Sequence, residues 1–411
     1  MDRRLGSKLV ILAPPMKTVA RAWLRPLQRF LEIEAVSGVV LAGATILALI
    51  WANSPWADTY QRVLTYPLGS GPHAPITPGW LIDDVLMTVF FFVVGLEIRR
   101  ELSIGELSDR KRAALPFLAA LGGMAVPAGI YLAVAGDAAT RSGWGIPTAT
   151  DIAFAVGVLT LLGTRVPHGL RVLLLALAVL DDLGAILVIA VFYTQEIRAS
   201  GLVVAAIAVV VVLAMQRAGV RQKLAFALPA LALWAGLLSA GIHPTIAGVV
   251  LGLLTPVTSD DDAPSPSEAW TALLHPWVAY GVMPLFALAN AGVAIGSVET
   301  RGAPLRVMLG ITLGLVVGKP LGIGLASALA IRSKLASAPE GLGGRHLLVL
   351  GVVGGVGFTM ALFVSELAFA DPALLDAARA AVLGASALAT LVALVIGAAL
   401  LPKGGGAADR S

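Results

Sequence analysis

The sequence predicts an all-α membrane protein of about twelve transmembrane helices, with an inverted repeat and two discontinuous helices, spans four and eleven. Hydrophobic residues make up 58% of the 411 residues and charged residues only 13%, whereas a soluble domain carries roughly 25% charged residues. The mean hydropathy is +0.88. Apolar runs of about 20 residues recur along the chain, and each can cross a hydrocarbon core of about 30 Å as a helix.

Twelve stretches carry this pattern, and the eighth is short for a full crossing. The predicted spans lie near 34–52, 80–98, 113–135, 144–162, 172–193, 201–216, 224–240, 244–256, 276–295, 305–331, 347–369 and 376–400. An even number of crossings puts both chain ends on the same side of the membrane.

The basic residues indicate which side that is. Of the 29 Lys and Arg residues, 22 lie on the side of the chain ends, six lie on the opposite side, and Lys319 lies inside a span. Cytoplasmic segments carry this excess, so both termini are predicted to be cytoplasmic. We expect a basic tail at 1–30 that is attracted to anionic lipid, a single transmembrane domain at 31–402, and a C-terminal tail at 403–411. The long loop at 257–275 is expected to be a solvated connector.

Several classes of protein are excluded by composition. The chain has no cysteine, which excludes disulfides, thiolate catalysis and cysteine-ligated metal centres. A primary pump would need a nucleotide site, and the GxxxxGK[ST] motif is missing from the sequence. We expect no cofactor and no nucleic-acid partner.

Four charged residues remain inside the apolar spans, and they are the candidates for function. A charge near the middle of a bilayer costs several kcal/mol, so a chain that retains one usually uses it. The alternative is a set of ion pairs that only fix helix packing. It is less favoured, since buried pairs contribute little net stability and the acids outnumber the base. The four residues are Asp151, Asp181, Asp182 and Lys319.

The adjacent aspartates predict proton-coupled cation transport. Asp181 and Asp182 point about 100° apart on a helix, so they are expected to play different roles. Burial and mutual repulsion favour their protonated forms, and proton release then leaves oxygen ligands for a hard cation such as Na⁺. Thr148 and Thr150 are expected to add hydroxyl or backbone ligands. Lys319 is expected to neutralise one aspartate when the cation is absent.

Two spans contain helix-breaking residues. Gly145 and Pro147 precede Asp151, and the eleventh span carries the string GVVGGVGFTM. Both residue types weaken a helix, and unwound backbone at membrane depth is tolerated where it lines a cavity. The breaks fall at matching places in spans 3–5 and 10–12, which indicates an inverted repeat. Half-helix ends carry partial charges of about ±0.5, so Asp151 is expected to face N-termini and Lys319 to face C-termini.

A second interpretation is that glycines in these spans only allow close packing. We apply it to the ladder at Gly310, Gly314, Gly318 and Gly322, whose four-residue spacing lines one helix face.

At this level of detail the sequence resembles the NhaA family of bacterial sodium/proton antiporters. The resemblance covers residues 30–400, and its blocks occur in the family's order: FFFVVGLEIRRE, GWGIPTATDIAFAVGVL, ALAVLDDLGAI, HPWVAY, PLFALANAGV, GKPLGI and GVGFTM. It implies an inverted-repeat transporter in the bacterial inner membrane. Such a protein exchanges cytoplasmic Na⁺ or Li⁺ for external protons in an electrogenic cycle, for pH and sodium homeostasis. It also implies a possible homodimer.

The resemblance assigns roles to particular residues. Asp181 and Asp182 match the paired aspartates that bind the transported Na⁺ and carry protons. Asp151 matches the acid beside the crossed half-helices, and Lys319 matches the lysine that pairs with an aspartate. The residues assigned to the access paths or to the pH response are Asp84, Glu97, Arg100, Glu101 and His243.

Local interpretations remain open for several outer residues. Glu97 could form an ordinary ion pair with neighbouring arginines, and His243 and His275 could serve as caps or loop residues before proline. Asp83 is expected to be solvated, and Glu366 is expected to face the outer water.

The chain departs from the family pattern at two places. An acidic run, Asp260–Asp262, replaces a basic stretch, and Thr271 stands where the family has a glutamate; both place the pH response in question. The 53–79 loop, which forms a dimerising hairpin in the family, is rich in proline here. Since proline disfavours strand ladders, a weaker dimer contact is expected.

Two other functions remain as alternatives, a passive cation channel and an intramembrane aspartyl protease. The protease is disfavoured because the chain lacks a GxGD string and two of its aspartates are adjacent.

Overall fold

The computed structural model describes residues 36–70, 75–194, 197–220, 222–258, 264–339 and 341–402. The predicted tails at 1–30 and 403–411, and the acidic run Asp260–Asp262, lie outside the described residues.

Long apolar helices make up most of the described chain, because a helix pairs its backbone N–H and C=O groups within one segment. The helices are α1 Val36–Ala52, α2 Ala57–Leu64, α3 Pro78–Trp80, α4 Met87–Ile104, α5 Arg110–Ala135, α6 Ile152–Leu161, α7 His168–Phe192, α8 Ala199–Arg217, α9 Ala227–Ala240, α10 Ile246–Leu254, α11 Pro266–Trp277, α12 Met283–Asn290, α13 Gly302–Leu313, α14 Lys319–Arg332, α15 Gly344–Gly354, α16 Phe358–Ala368 and α17 Pro372–Leu400.

Shorter helical turns connect or extend these helices. The 3₁₀ turns are Glu106–Ser108, Arg141–Thr148, Gly163–Arg165, Lys223–Phe226 and Ile295–Ser297. Three π-helical turns continue directly into a following α-helix: Leu81–Leu86, Val278–Val282 and Gly314–Gly318. Turns of this kind are rare and occur frequently at functional sites.

Within the described residues, six helices are long and apolar enough to cross a membrane, or nine if each bent pair counts as one span. The chain is therefore a multi-pass helical membrane protein. The bent pairs are α1 with α2 at 116°, Arg141–Thr148 with α6 at 40°, and α15 with α16 at 47°.

The helices form two groups. In the first group, α4 packs against α10 and α11, and α9 packs against α8 and α10. Helix α12 also belongs to this group, because it contacts the turns at Leu81–Leu86 and Val278–Val282. In the second group, α5 packs against α7, α13 and α14, and α17 packs against α13, α15 and α16. α6 joins this group through α7. The groups meet where α4 packs on α7 and α12 packs on α16.

Glycine allows the closest of these contacts. Gly322 of α14 faces Gly122 of α5, and a Cβ atom added to either glycine would overlap the carbonyl oxygen of the other. Gly310, Gly314 and Gly318 likewise face residues of α5 or the Arg141–Thr148 turn. The prediction that this glycine ladder serves packing is confirmed.

One of two loop predictions needs correction. The stretch after residue 265 is α11 rather than a solvated connector, because Ser265 and Glu268 form a capping box and Pro266 occupies the first turn. The proline-rich 53–79 loop contains a short strand ladder, and the weaker dimer contact stays a prediction. Strands β1 (Gly69–Ser70) and β2 (Pro75–Ile76) pair antiparallel over two residues each.

Candidate cation and proton site

The two helix breaks lie against each other inside the second group. The chain leaves helical geometry between Thr148 and Ile152, and again between Gly354 and Phe358. Across this gap the backbone N–H of Asp151 donates to the carbonyl oxygen of Val356 over 2.8 Å. The contact brings the ends of four helical segments to one point.

The Asp151 carboxylate caps two of these segments at their N-termini. Its Oδ1 accepts from the N–H of Phe154 in α6 over 3.0 Å. Its Oδ2 accepts from the N–H of Thr359 in α16 over 3.1 Å, and from the Thr359 hydroxyl. Asp151 is 1% exposed. A carboxylate satisfies free N–H groups at a helix start, where the helix dipole also favours negative charge.

Lys319 lies on the C-terminal side of the same crossing and is fully buried. Its Nζ donates to Asp181 Oδ2 over 2.5 Å and to Thr150 Oγ1 over 2.8 Å. The Thr150 hydroxyl lies 2.7 Å from Asp181 Oδ2 and 2.9 Å from the carbonyl oxygen of Gly354, which ends α15. A hydroxyl has one hydrogen to donate, so Thr150 serves one of these two acceptors at a time.

Asp181 and Asp182 have different surroundings, although they are adjacent on α7. Asp181 is paired with Lys319, and its second oxygen, Oδ1, has no hydrogen-bond partner among the described residues. Asp182 is 3% exposed, and its side chain forms no hydrogen bond within the described part of the chain. It lies instead on the wall of a cavity.

The cavity lies between the two helix groups and has a volume of about 60 Å³. That volume suffices for a few water molecules, or for a cation with part of its water shell. Its polar wall residues are Asp151, Asp182, Glu97, Ser37, His275 and Thr359. In the described part of the chain no group of three or more His, Asp or Glu side chains is placed to hold a resident metal ion. Among the carboxylates on the cavity wall, Asp182 forms no hydrogen bond with the described residues.

The other residues assigned to access paths lie near the two ends of the helical run formed by the Leu81–Leu86 turn and α4. Asp84 lies in the π turn before α4, and its Oδ1 is 3.7 Å from Nε2 of His243. His243 Nδ1 is 2.8 Å from the Thr245 hydroxyl. Glu97 lines the cavity, about 20 Å further along the helix at 1.5 Å per residue.

The charged residues beyond Glu97 lie outside the cavity. Arg100 is exposed. Glu101 accepts from the backbone N–H of Glu106 over 2.7 Å, so its carboxylate caps the turn that follows α4. Thr148, a candidate ligand, donates instead to the carbonyl oxygen of Gly145 over 2.7 Å.

Sequence comparison decides the family. The family model described as Na+/H+ antiporter 1 matches residues 28–396. The chain belongs to this antiporter family. It is 52% identical to the Na(+)/H(+) antiporter NhaA 2 of Myxococcus xanthus (strain DK1622), with 94% of this chain and 92% of that protein covered. It is 50% identical to the Na(+)/H(+) antiporter NhaA of Acidovorax sp. (strain JS42), with 96% and 97% covered, and the predicted family is confirmed.

Two cavity residues of this family member were missed at the sequence level. For His275 a capping or loop role was left open, but α11 continues through Pro276 and places the imidazole, 8% exposed, on the cavity wall. Ser37, 2% exposed, lines the same cavity from α1. A serine is compatible with many positions, so only the folded arrangement identifies it. For His275, the sequence signal that could have indicated a buried position is the apolar run on both sides of the residue.

Two expectations about solvated acids were wrong. Asp83 accepts from the side chain of Asn290 over 2.7 Å instead of facing water alone. Glu366 forms an ion pair with Arg379, with Oε1 and Nη2 2.6 Å apart. Both acids therefore belong to a polar cluster that joins several helices.

Proposed function

We propose that the chain is a secondary antiporter of the bacterial inner membrane that exports Na⁺ or Li⁺ in exchange for external protons. The observation that carries this proposal is that the two adjacent aspartates of α7 have different surroundings. Asp181 is neutralised by a buried lysine, and Asp182, the next residue, faces a cavity with its oxygens available. The names of the relatives, all Na(+)/H(+) antiporters, support the same conclusion.

In this mechanism Asp182 is the main cation ligand and a proton carrier. When it loses its proton, its carboxylate binds the cation in the cavity. The cation then attracts Asp181 Oδ1, which has no other partner in the described residues, and weakens the bond between Asp181 and Lys319. Thr150 lies between both groups and can donate to Asp181 when Lys319 withdraws. Return of one proton to Asp182 and one to the Asp181–Lys319 pair expels the cation and restores the ion pair.

The partial charges at the half-helix ends stabilise the charged side chains of the site while protons and cations bind and leave. Asp151 faces two helix N-termini, and Lys319 reaches a helix C-terminus through Thr150. We take the two bent pairs, Arg141–Thr148 with α6 and α15 with α16, as the discontinuous spans four and eleven of an inverted repeat of twelve spans. Inverted repeats allow alternating access by rocking of one helix group against the other.

The excess of Lys and Arg supports cytoplasmic termini. On that assignment Glu97, Arg100, Glu101 and His275 lie toward the cytoplasm, and Asp84 and His243 lie toward the outside. The basic N-terminal tail is proposed to contact anionic lipid. A homodimer is proposed to form through the β1–β2 hairpin. The channel and protease alternatives are not favoured, because the matched family consists of antiporters.

The decisive test is ion exchange in proteoliposomes. With the purified protein and an imposed pH gradient, added Na⁺ or Li⁺ should dissipate the gradient in wild-type vesicles. Asp182→Asn removes the cation ligand and a proton carrier, so it should abolish this exchange. Asp58→Asn is the matched control, since Asp58 is an exposed acid in α2. The proposal fails if wild-type vesicles show no exchange from neutral to alkaline pH, and the site assignment fails if Asp182→Asn exchanges like the wild type.

A further inference from the structure

A chain of polar side chains crosses from the first helix group to the second. Asn290, the last residue of α12, donates from Nδ2 to Asp83 Oδ1 over 2.7 Å. Its Oδ1 accepts from Arg379 Nη2 of α17 at 3.3 Å. Arg379 also donates from Nε to Glu366 Oε1 of α16 over 2.7 Å. The bond between Asn290 and Arg379 thus joins the two groups, and each partner is held in place by a carboxylate from its own group.

This polar chain is shielded from water. Asn290 is 2% exposed, and the side chains of Arg379 and Glu366 are 17% and 20% exposed. Tyr60 of α2, 2% exposed, lies beside the end of α12, with its hydroxyl 2.8 Å from the carbonyl oxygens of Leu288 and Ala289. A hydrogen bond to a charged group is stronger than a neutral one, and burial increases its strength.

Three phenylalanines close the gap between the polar chain and the cavity. The ring of Phe363 in α16 lies 5.3 Å from Phe91 in α4 and 6.1 Å from Phe286 in α12. All three are at most 1% exposed. They come from both helix groups, so this aromatic layer separates only if the groups move apart at this end.

The cavity and the polar chain lie at opposite ends of the interface between the groups. Glu97 lines the cavity, whereas Asp83, about 20 Å earlier along the same helical run, belongs to the polar chain. If one group rocks against the other and the cavity closes, the opposite edges separate. The contact between Asn290 and Arg379 is the polar bond that must then break.

We propose that Arg379 is the positioning residue of an outer latch, formed by Asp83, Asn290, Arg379 and Glu366. The latch keeps the outer entrance shut while the cavity gives the cytoplasm access to Asp182. Glu366 aims the guanidinium, and Asp83 turns the Asn290 amide so that its oxygen faces Arg379. This inference rests on the proposed antiport, because only a carrier with alternating access requires an outer entrance that opens and closes.

The latch has a measurable effect on the populations of the two states. Loss of the bond should favour the outward-open state, and a cation binds with an apparent affinity that scales with the fraction of competent protein. The apparent KM for Na⁺ should therefore fall at the outer face and rise at the inner face. A merely structural role for Arg379 would lower the maximal rate and leave this difference between the two faces unchanged.

The test uses a single thiol, since the natural chain has no cysteine. Ala279 lies on the cavity wall, and Ala279→Cys gives one label position there. A membrane-impermeant maleimide is applied to the outer or to the inner face of oriented vesicles. In the Arg379→Ala background, the ratio of outer to inner labelling should rise about tenfold, as expected for the loss of one charged hydrogen bond.

Two further variants and a control complete the design. Asn290→Ala removes the partner from the other helix group and should shift the ratio in the same direction. Arg379→Lys keeps the charge but not the planar fork, and should give an intermediate ratio. Arg306→Ala is the matched control: it removes an ion pair to Asp137, 2.5 Å long, that lies within the second group. It should leave the ratio unchanged.

The outcomes separate the latch from the antiport function. Labelling needs no transport, so the two failures are measured separately: absence of Na⁺ exchange in the wild type overturns the proposed function, and with it the need for an outer latch. If the wild type exchanges Na⁺ and both Arg379→Ala and Asn290→Ala keep the wild-type labelling ratio, the latch is wrong. An equal shift with Arg306→Ala would also overturn it.

Discussion

At the residue scale, the pair of Lys319 and Asp181 explains why two adjacent aspartates are present. Both side chains of the pair are fully buried, and removal of one charge would leave the other unpaired in a dry environment. Asp182 is left outside the pair and faces the cavity. In the proposed mechanism Asp182 binds the cation, while the charge of Asp181 is compensated by Lys319.

Lys319→Gln tests whether the lysine is structural or carries a proton. If it is structural, the variant should still exchange Na⁺ for protons, and the exchange should still respond to an imposed membrane potential. Its melting temperature should fall, since loss of one partner of a buried pair costs roughly 3–5 kcal/mol. The measurements are exchange in proteoliposomes with and without a potential, and thermal unfolding in detergent.

A double variant provides the control. Lys319→Gln with Asp181→Asn removes both charges and should recover much of the lost stability, because the two changes are coupled. Exchange that becomes insensitive to potential, at an unchanged melting temperature, would instead identify Lys319 as a proton carrier.

Sequence reasoning found the residues whose charges have a high free-energy cost inside the lipid bilayer. Asp151, Asp181, Asp182 and Lys319 stand out because a charge is costly at mid-bilayer. Asp83 and Glu366 lie near span ends, where an acid costs little, so their bonds to Asn290 and Arg379 left no signal in the sequence. Such contacts depend on the fold.

At the element scale, the crossing of α5 and α14 sets the position of Lys319. Gly122 and Gly322 bring the two backbones into contact, and Lys319 lies one turn before Gly322 on α14. A side chain at this crossing would force the helices apart and move the lysine away from Asp181.

Gly322→Val should therefore lower both stability and exchange. Overpacking of a close contact costs about 1–3 kcal/mol, so the melting temperature should fall clearly. Gly324→Val is the matched control on the same helix, since a Cβ at Gly324 meets nothing within 4 Å. Equal melting temperatures and equal exchange rates for the two variants would contradict this role of the crossing.

The sequence carries a clearer signal for helix breaks than for helix starts. Gly145 and Pro147 lie in the 3₁₀ turn just before the first break, and Gly354, Gly355 and Gly357 lie at the second; both residue types weaken a helix. The start of α11 was missed, although Ser265 and Glu268 have the spacing of a capping box. The polar composition of 257–275 masked that signal. The π turns depend on packing and had no signal in the sequence.

At the scale of the whole molecule, the proposed orientation across the membrane rests on the distribution of Lys and Arg. The structure contains helices at the predicted spans, but helix length and hydropathy alone identify six to nine crossings among the described residues. Helix α10, which has nine residues, is too short to be counted among them.

Two single cysteines can fix the orientation. Gly296 and Ala218 are both exposed and lie in loops at the ends of spans. With twelve spans and cytoplasmic termini, Gly296→Cys should react with an impermeant maleimide added outside intact cells. Ala218→Cys should react only after the cells are opened. The reverse pattern, or labelling of both from one side, would refute the proposed topology.

The double cap on Asp151 has a consequence for energy conversion. Two helix N-termini already balance the charge of this carboxylate, so in the proposed mechanism the groups that exchange protons are Asp182 and the Asp181–Lys319 pair. Two protons entering for each Na⁺ that leaves would move one net positive charge inward per cycle. A potential of 100 mV is worth about 2.3 kcal/mol per charge, and every 1.4 kcal/mol corresponds to a tenfold ratio. A cell with no pH difference across its membrane could therefore keep its internal sodium roughly 50-fold below the external concentration, and would draw on voltage alone to do so.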